Sequence, residues 1–206
     1  MALSDDPKQG LRQSILRERM ALVREDAIFR SETVCANFLK HAEKLWKPEE
    51  FAGQVVALYA IHPDNPEGEL DPSPVRESPL FRASQFAYPR ILSRADGKME
   101  FALAQHATDW IKSPYGFPEP RFEIPSIDPK DIALFIVPGV AFGERGERMG
   151  RGAGFYDRYL KRAPGAIRVG VGYDFQILRQ AIPENAWDER MDWVMGESIS
   201  LFPQRT

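Results

Sequence analysis

The sequence predicts an α/β protein. It reads as a single three-layer domain with a mostly parallel central sheet, two helices ahead of that sheet, and a glycine-rich phosphate loop after a central strand. Three observations lead there. Helical periodicity dominates only up to the breaker Pro48, and short β-rich runs follow from residue 54. One run, Ile132-Ala133-Leu134-Phe135-Ile136-Val137, lacks polar alternation, as expected of a strand covered on both faces. A stretch with glycines at 150, 152 and 154 then leads from that strand into another helical pattern.

The elements follow in order. Asp6 and Pro7 read as N-cap and first helical residue, and Leu11, Ile15 and Leu22 give the first helix an apolar stripe. Ile28, Cys35, Phe38, Leu39, Ala42 and Leu45 form the stripe of a second helix ending at Pro48. Strands are expected at 54–60, 85–89, 99–104, 132–137, 167–172 and 193–195. Pro- and Gly-rich stretches at 62–79 and 113–129 are expected to be long surface connections around the mouth of a site. A last helix is expected over 155–162, before Pro164-Gly165. Charge is polarised: residues 62–79 are mainly acidic, through Asp64, Glu67, Glu69, Asp71 and Glu77, whereas 144–168 carry seven basic residues against three acidic ones.

Composition narrows the function. The 206 residues hold 27 Lys and Arg against 30 Asp and Glu, a net charge of −3 that argues against a nucleic-acid partner. A hydrophobic share of 43% supports a sizeable core and one domain, and neither repeats nor low-complexity tracts interrupt it. The single cysteine, Cys35, excludes an intrachain disulfide, and on an apolar helical stripe it reads as a packed small hydrophobe. His41, His62 and His106 lack metal-ligand spacing, so zinc is not expected. No apolar run approaches the roughly 20 residues a bilayer crossing needs. The polar, acidic start Met1-Ala2-Leu3-Ser4-Asp5-Asp6-Pro7 does not read as a signal or transit peptide, so a cytoplasmic protein without a membrane partner is expected.

The chemistry sits in Gly146-Glu147-Arg148-Met149-Gly150-Arg151-Gly152-Ala153-Gly154-Phe155-Tyr156-Asp157. Glycines leave backbone N–H groups open to an anion, and a helix start adds partial positive charge. Arg148 and Arg151 would supply fixed donors to phosphoryl oxygens, and Asp157 a hard oxygen ligand suited to magnesium held mostly by water and phosphate. A glycine triplet alone could be a tight turn; the spacing is neither that of a dinucleotide fold nor that of a Walker A loop. Two arginines and an aromatic–acid pair favour anion binding.

This string resembles the signature of the 5-formyltetrahydrofolate cyclo-ligase family. The likeness extends to Lys8-Gln9-Gly10-Leu11-Arg12, Glu69-Leu70-Asp71, Tyr88-Pro89-Arg90, Gly116-Phe117-Pro118-Glu119-Pro120, Val137-Pro138-Gly139, and Asp188 with Asp192. The resemblance implies a one-domain ligase that uses ATP and magnesium to convert 5-formyltetrahydrofolate into 5,10-methenyltetrahydrofolate, releasing ADP and phosphate. It further implies catalytic roles for Lys8, Arg12 and Arg148. ATP would meet Lys8, Gln9, Gly10, Leu11, Arg12 and the loop Arg148, Met149, Gly150, Arg151, Gly152, Ala153, Gly154, Phe155 and Tyr156. The folate would meet Arg12, Ala60, Glu69 and the 151–155 backbone, with Trp110 a candidate to stack on the pterin against its plainer reading as packing. Asp157 and Asp192 would serve magnesium. A monomer acting on a reduced folate and ATP is expected; the alternative is a non-catalytic folate- or nucleotide-binding paralogue whose 62–79 connection reshapes the pocket. Departures from the family pattern are Phe155 in place of tyrosine, Trp187 in place of histidine and Gly196 in place of threonine, the last two expected to touch the metal or nucleotide shell.

Overall fold

The computed structural model describes residues 8–203, so the Asp6 cap and Pro7 lie outside the described residues. Helices α1 (Lys8–Met20) and α2 (Arg24–Leu45) come first. They are followed by β1 (Val55–Ala57), β2 (Gln85–Ser93), β3 (Lys98–Leu103), β4 (Trp110–Lys112), β5 (Pro118–Pro120) and β6 (Ile132–Pro138). Then come β7 (Ala141–Gly143), β8 (Arg148–Met149), α3 (Phe155–Leu160), β9 (Ile167–Val171), β10 (Ile177–Leu178), β11 (Trp193–Met195) and β12 (Ser200–Leu201).

The main sheet runs β12-β11-β9-β6-β1-β2-β3, with parallel neighbours from β11 through β2 and an antiparallel strand at each edge. Its centre is the unbroken apolar run. Alternation in β6 sends Leu134 and Ile136 to one face and Phe135 and Val137 to the other, and both faces are covered. Val34, Cys35, Phe38 and Ala42 of α2 close the first face; Tyr159 and Leu160 of α3 close the second. These are the three layers the pattern predicts. Aromatic rings fill the α2 side: Phe81 stacks on Phe38 at 6.3 Å and meets Phe51 edge-on at 4.9 Å, while Trp46 stacks on Trp193 at 4.6 Å. Cys35 is 1% exposed, and burial pushes its thiol up to about 12.

Several expected bounds shift for physical reasons. The first strand covers only 55–57 of 54–60, because after Leu58 donates its N–H to Ala87 (2.9 Å) the chain leaves the sheet. The second strand runs on to Ser93, its antiparallel pairing with β3 carrying it past Pro89. The 62–79 connection is not all surface: Leu70 and Val75 are buried under α2, and the turn Ser73–Glu77 packs them there. The last helix stops at Leu160, where tighter bonds, Arg162 N to Tyr159 O at 2.9 Å and Ala163 N to Leu160 O at 2.9 Å, replace the helical pattern.

The glycine-rich segment also does not follow β6 directly. A hairpin of β7 and β8 intervenes and joins β10 in a small second sheet. Its turn folds over the buried Glu147 carboxylate, which accepts from Arg145 N at 2.9 Å and Arg145 Nε at 2.8 Å. A Cβ on Gly143 would sit 2.4 Å from Glu147 Oε2, so this close approach requires glycine.

Candidate active site

A cleft of about 840 Å³ opens where the chain leaves β1 and β6, lined there by Tyr59, Ala60, Pro138, Gly139 and Val140. This is the carboxyl end of the parallel strands, the usual crevice of an open α/β sheet. Both Pro- and Gly-rich connections border it as their composition suggests, through Asn65, Glu67 and Glu69 from one and Tyr115, Phe117 and Glu119 from the other.

Helix α1 forms one wall. Residues 8, 12 and 19 are separated by whole helical turns and share a face, with Ile15 of the same face anchored against Val140, Ala141 and Met149. Lys8 Nζ pairs with Asp188 Oδ2 at 2.6 Å, and Arg12 Nε donates to Gly150 O at 3.0 Å. Arg19, 2% exposed, donates from Nε to Glu67 O at 2.8 Å and lies 3.9 Å from Glu69 Oε1. Gln9 and Gly10 are exposed and Leu11 packs on the Ile15 cluster, so none of the three reaches the cleft. Helical geometry explains this placement: only every third or fourth side chain of α1 faces inward.

Joined to α1 through that Arg12–Gly150 bond is the loop from Arg148 to Asp157, every residue of which borders the cleft. Gly152 and Gly154 have φ of 102° and 67°, left-handed conformations that glycine adopts without strain. Helix α3 has six residues, so the anion-binding argument rests on the loop's own N–H groups rather than on a long helix dipole. Arg148, which the motif suggests as a phosphate donor, is buried beneath the loop. Its Nη2 holds Asp157 Oδ1 at 2.8 Å, its Nη1 reaches Pro138 O at 3.3 Å, and its guanidinium lies 5.5 Å from the Tyr156 ring centroid. Among the described residues Arg148 Nε and the Tyr156 hydroxyl are buried without a hydrogen-bond partner, as is Arg168 Nε outside the cleft. Such orphaned donors beside a cleft mark where a ligand's acceptor atoms belong. Burial, only partly offset by Arg148, raises the Tyr156 phenol well above its ordinary range, so it stays a neutral donor.

The polarised charges of the sequence meet here. Arg151 pairs with Glu67 and lies 3.5 Å from Glu69 Oε1, tying the basic loop to the acidic connection. Ala60 and Glu69 are both at the cleft, as expected. Glu119 is the exception among the cleft carboxylates. Glu67, Glu69, Asp157 and Asp188 all have a cationic partner within 4 Å, whereas buried Glu119 has no such ion pair among the described residues and desolvation raises its carboxyl.

Three expected site residues lie elsewhere. Trp110 packs edge-on against Tyr88 at 4.6 Å, outside the cleft, because β4 turns its side chain onto the sheet. Asp192 accepts from Arg168 N at 2.8 Å and so fastens the start of β9 instead of facing the cleft; of the closing acidic pair only Asp188 borders it. Gly196 is also remote, beside Asp174 and Ile177, and cannot reach a nucleotide shell, whereas Trp187 and Phe155 do line the cleft. Sequence reasoning missed Arg19, Tyr59, Glu67, Glu119 and the apolar wall of Ile91 and Met99. The spacing from Lys8 through Arg12 to Arg19 was a readable signal, as were the family-like element around Glu119 and the acidic connection holding Glu67; the others arrive from separate elements.

Among the described residues no group of three or more His, Cys, Asp or Glu is arranged to hold a metal ion. The donor set suits magnesium that arrives with phosphates, with Asp157 as a carboxylate at the cleft wall, and not a resident ion in a protein cage.

The cleft thus joins a glycine-rich loop and helix-borne cations to an acidic, partly apolar wall. The structure is similar to the 5,10-methenyltetrahydrofolate synthetase of Aquifex aeolicus, with a TM-score of 0.75 and 29% identity over 97% of this chain and 94% of that one. Among curated sequences, the 5-formyltetrahydrofolate cyclo-ligase of Escherichia coli K12 is 32% identical over 126 residues, 59% of this chain and 68% of the relative. The Mycoplasma genitalium protein of the same name is 36% identical over 70 residues, 34% of this chain; that match spans only 41% of the relative's own length. The sequence profile of one family matches residues 4–197, which takes in α1, the glycine loop and Asp188 alike, and on that ground the chain belongs to the 5-formyltetrahydrofolate cyclo-ligase family.

Proposed function

We propose that the chain converts 5-formyltetrahydrofolate to 5,10-methenyltetrahydrofolate at the expense of ATP, releasing ADP and phosphate. The observation that carries this reading is the two-sided cleft: Lys8, Arg12 and the 148–156 loop on one wall, Ala60, Glu69 and an apolar strip on the other. Family membership supports it.

The formamide oxygen is a poor leaving group. Its phosphorylation by the γ-phosphoryl group of ATP gives an N5-iminium phosphate, which N10 attacks; the N10 proton is lost, the C–O bond breaks and phosphate departs. Such a reaction asks the protein chiefly to align the reactants and neutralise charge. Lys8 and Arg12 would contact the phosphates from α1, and the N–H groups from Gly150 to Gly154 would wrap them. Tyr156 OH and Arg148 Nε, both orphaned, would donate to phosphoryl or formyl oxygens. Glu69 would accept from pterin N–H groups, and Arg12 with the 151–155 backbone would hold the folate between the walls. Magnesium, when bound, neutralises phosphate charge, and Asp157 with the cleft-facing Asp188 would meet its water shell. A monomer working in the cytoplasm without nucleic-acid or membrane partners completes the reading. It is supported by the net charge of −3 and by the lack, among the described residues, of a helix long and apolar enough to cross a membrane.

The test is the methenyl chromophore. Purified protein mixed with 5-formyltetrahydrofolate, ATP and magnesium should generate it, and an Arg12→Ala variant should lose most of it. Binding of folate or ATP without product would leave a non-catalytic paralogue and sink the ligase reading.

A further inference from the structure

The cations of the cleft are not equivalent. Lys8 is matched by Asp188, Arg12 by Gly150 O, Arg148 by Asp157, and Arg19 and Arg151 by Glu67 and Glu69. Arg94 differs: among the described residues no carboxylate lies within ion-pairing distance of it, and its recorded contact is the ring of Tyr115, 5.4 Å from the guanidinium carbon to the centroid.

Both partners stand on braced turns. Arg94 sits in the tight turn between β2 and β3, closed by Gly97 N to Arg94 O (3.3 Å) and by Ser93 Oγ to Asp96 Oδ2 (2.8 Å). Tyr115 sits in the turn between β4 and β5, closed by Gly116 N to Ser113 O (3.0 Å) and Ser113 N to Phe117 O (2.9 Å). Gly116, at φ 87°, lets that turn lie against His62, and Phe117 meets the His62 ring edge-on at 6.1 Å. Ile91, Met99 and Phe117 give the same cleft an apolar strip, beside the buried Glu119. A flat guanidinium over an aromatic ring keeps its edge free for a carboxylate.

We infer that Arg94, seated on Tyr115, is the subsite for the glutamate carboxylates at the far end of a reduced folate, extending to a poly-γ-glutamate tail. The inference rests on the folate reading above. With the pterin at Glu69 and the aminobenzoyl ring along the apolar strip, the glutamyl end leaves the cleft carrying two negative charges. Arg94 borders the cleft and, among the described residues, has no carboxylate within ion-pairing distance to compete for that end. The residue is one of positioning and specificity, remote from the reacting atoms.

The test compares wild type with Arg94→Gln and Arg94→Glu, using the monoglutamyl and triglutamyl forms of 5-formyltetrahydrofolate. Dissociation constants come from quenching of tryptophan fluorescence, and KM and kcat from the chromophore assay. Expected are a folate Kd and KM raised about fivefold in Arg94→Gln and more in Arg94→Glu, a larger effect on the triglutamate, and unchanged kcat and ATP KM. Added salt should weaken folate binding more in wild type than in Arg94→Gln. Folate affinities within twofold of wild type in both variants, for both forms, would overturn the subsite. Wild type that binds folate without turning it over would sink the ligase reading while the Kd series still decides this one; wild type that binds no folate would sink both.

Discussion

Replacing Arg148 should damage the fold as well as any chemistry, and the size of the damage follows from its surroundings. The Arg148 side chain is 4% exposed and that of Asp157 13%, with 2.8 Å between Nη2 and Oδ1. Removing one member of a buried pair strands the other charge, which costs about 3–5 kcal/mol. Arg148→Met also removes the cation from the Tyr156 ring, about 1 kcal/mol more. For a domain whose whole stability is of the order of 5–15 kcal/mol, that is a large fraction. The assay is equilibrium urea unfolding followed by tryptophan fluorescence. With a slope of about 2 kcal/mol/M, Arg148→Met should lower the midpoint by about 2–3 M. Asp157→Asn should cost a comparable amount because it strands Arg148. The double variant should fall short of the sum by about 1–3 kcal/mol, since the second change removes a charge already stranded. Midpoint shifts worth less than 1 kcal/mol that add without coupling would show that Arg148 does not tether Asp157, and the picture of a loop braced from beneath would fall.

Burial raises the Glu119 carboxyl, so the native state holds that proton to higher pH than the unfolded chain does, and stability falls as pH climbs through and above the ordinary glutamate value of 4.5. Glu119→Gln should therefore gain on wild type between pH 4 and pH 7 in urea midpoints, and an equal gap at both pH values would count against a desolvated carboxyl. Gly196→Thr would place a Cβ 2.2 Å from Asp174 Oδ1 and 2.8 Å from Ile177 Cδ1, disturbing the turn in which Asp174 accepts from Ser198. A thermal-unfolding loss of about 1–3 kcal/mol is expected, with kcat per folded molecule unchanged. Trp110→Phe should leave the folate KM within twofold of wild type, as a ring packed on Tyr88 and not on a ligand requires; a tenfold rise would return Trp110 to the site.

Much of this was legible in the sequence because the signals were local. A seven-residue strand with no polar member reports coverage on both faces, and β6 has it. Glycines two apart beside two arginines report an open loop, and the loop borders the cleft. Lys8 and Arg12 were readable as one helix face; Arg19 continues that face and was overlooked because a lone arginine at the end of a helix looks like surface charge. What could not be read was the meeting of distant segments. Nothing near Trp110 says that its ring will pack edge-on with Tyr88, and nothing near Asp192 says that the Arg168 amide will claim it. The β7–β8 hairpin escaped detection because its strands have only three and two residues, too short for any periodicity to register.

The one thiol of the chain gives the protein a built-in clock. Cys35 lies buried in the middle of α2, its Sγ donating to Asp71 O at 3.6 Å and its thiol pushed up to about 12, so at neutral pH it is both shielded from an alkylating reagent and almost wholly protonated. Alkylation must wait for the α2 layer, α2 with the 70–75 segment packed on it, to open. Because the thiolate forms readily only in that open state, the labelling rate, divided by that of an unfolded peptide, reads the population of molecules in which the α2 layer has separated. Ligands that bridge α1 and the glycine loop need not touch α2, so comparing the rate with and without them would reveal whether the two layers open together or one at a time.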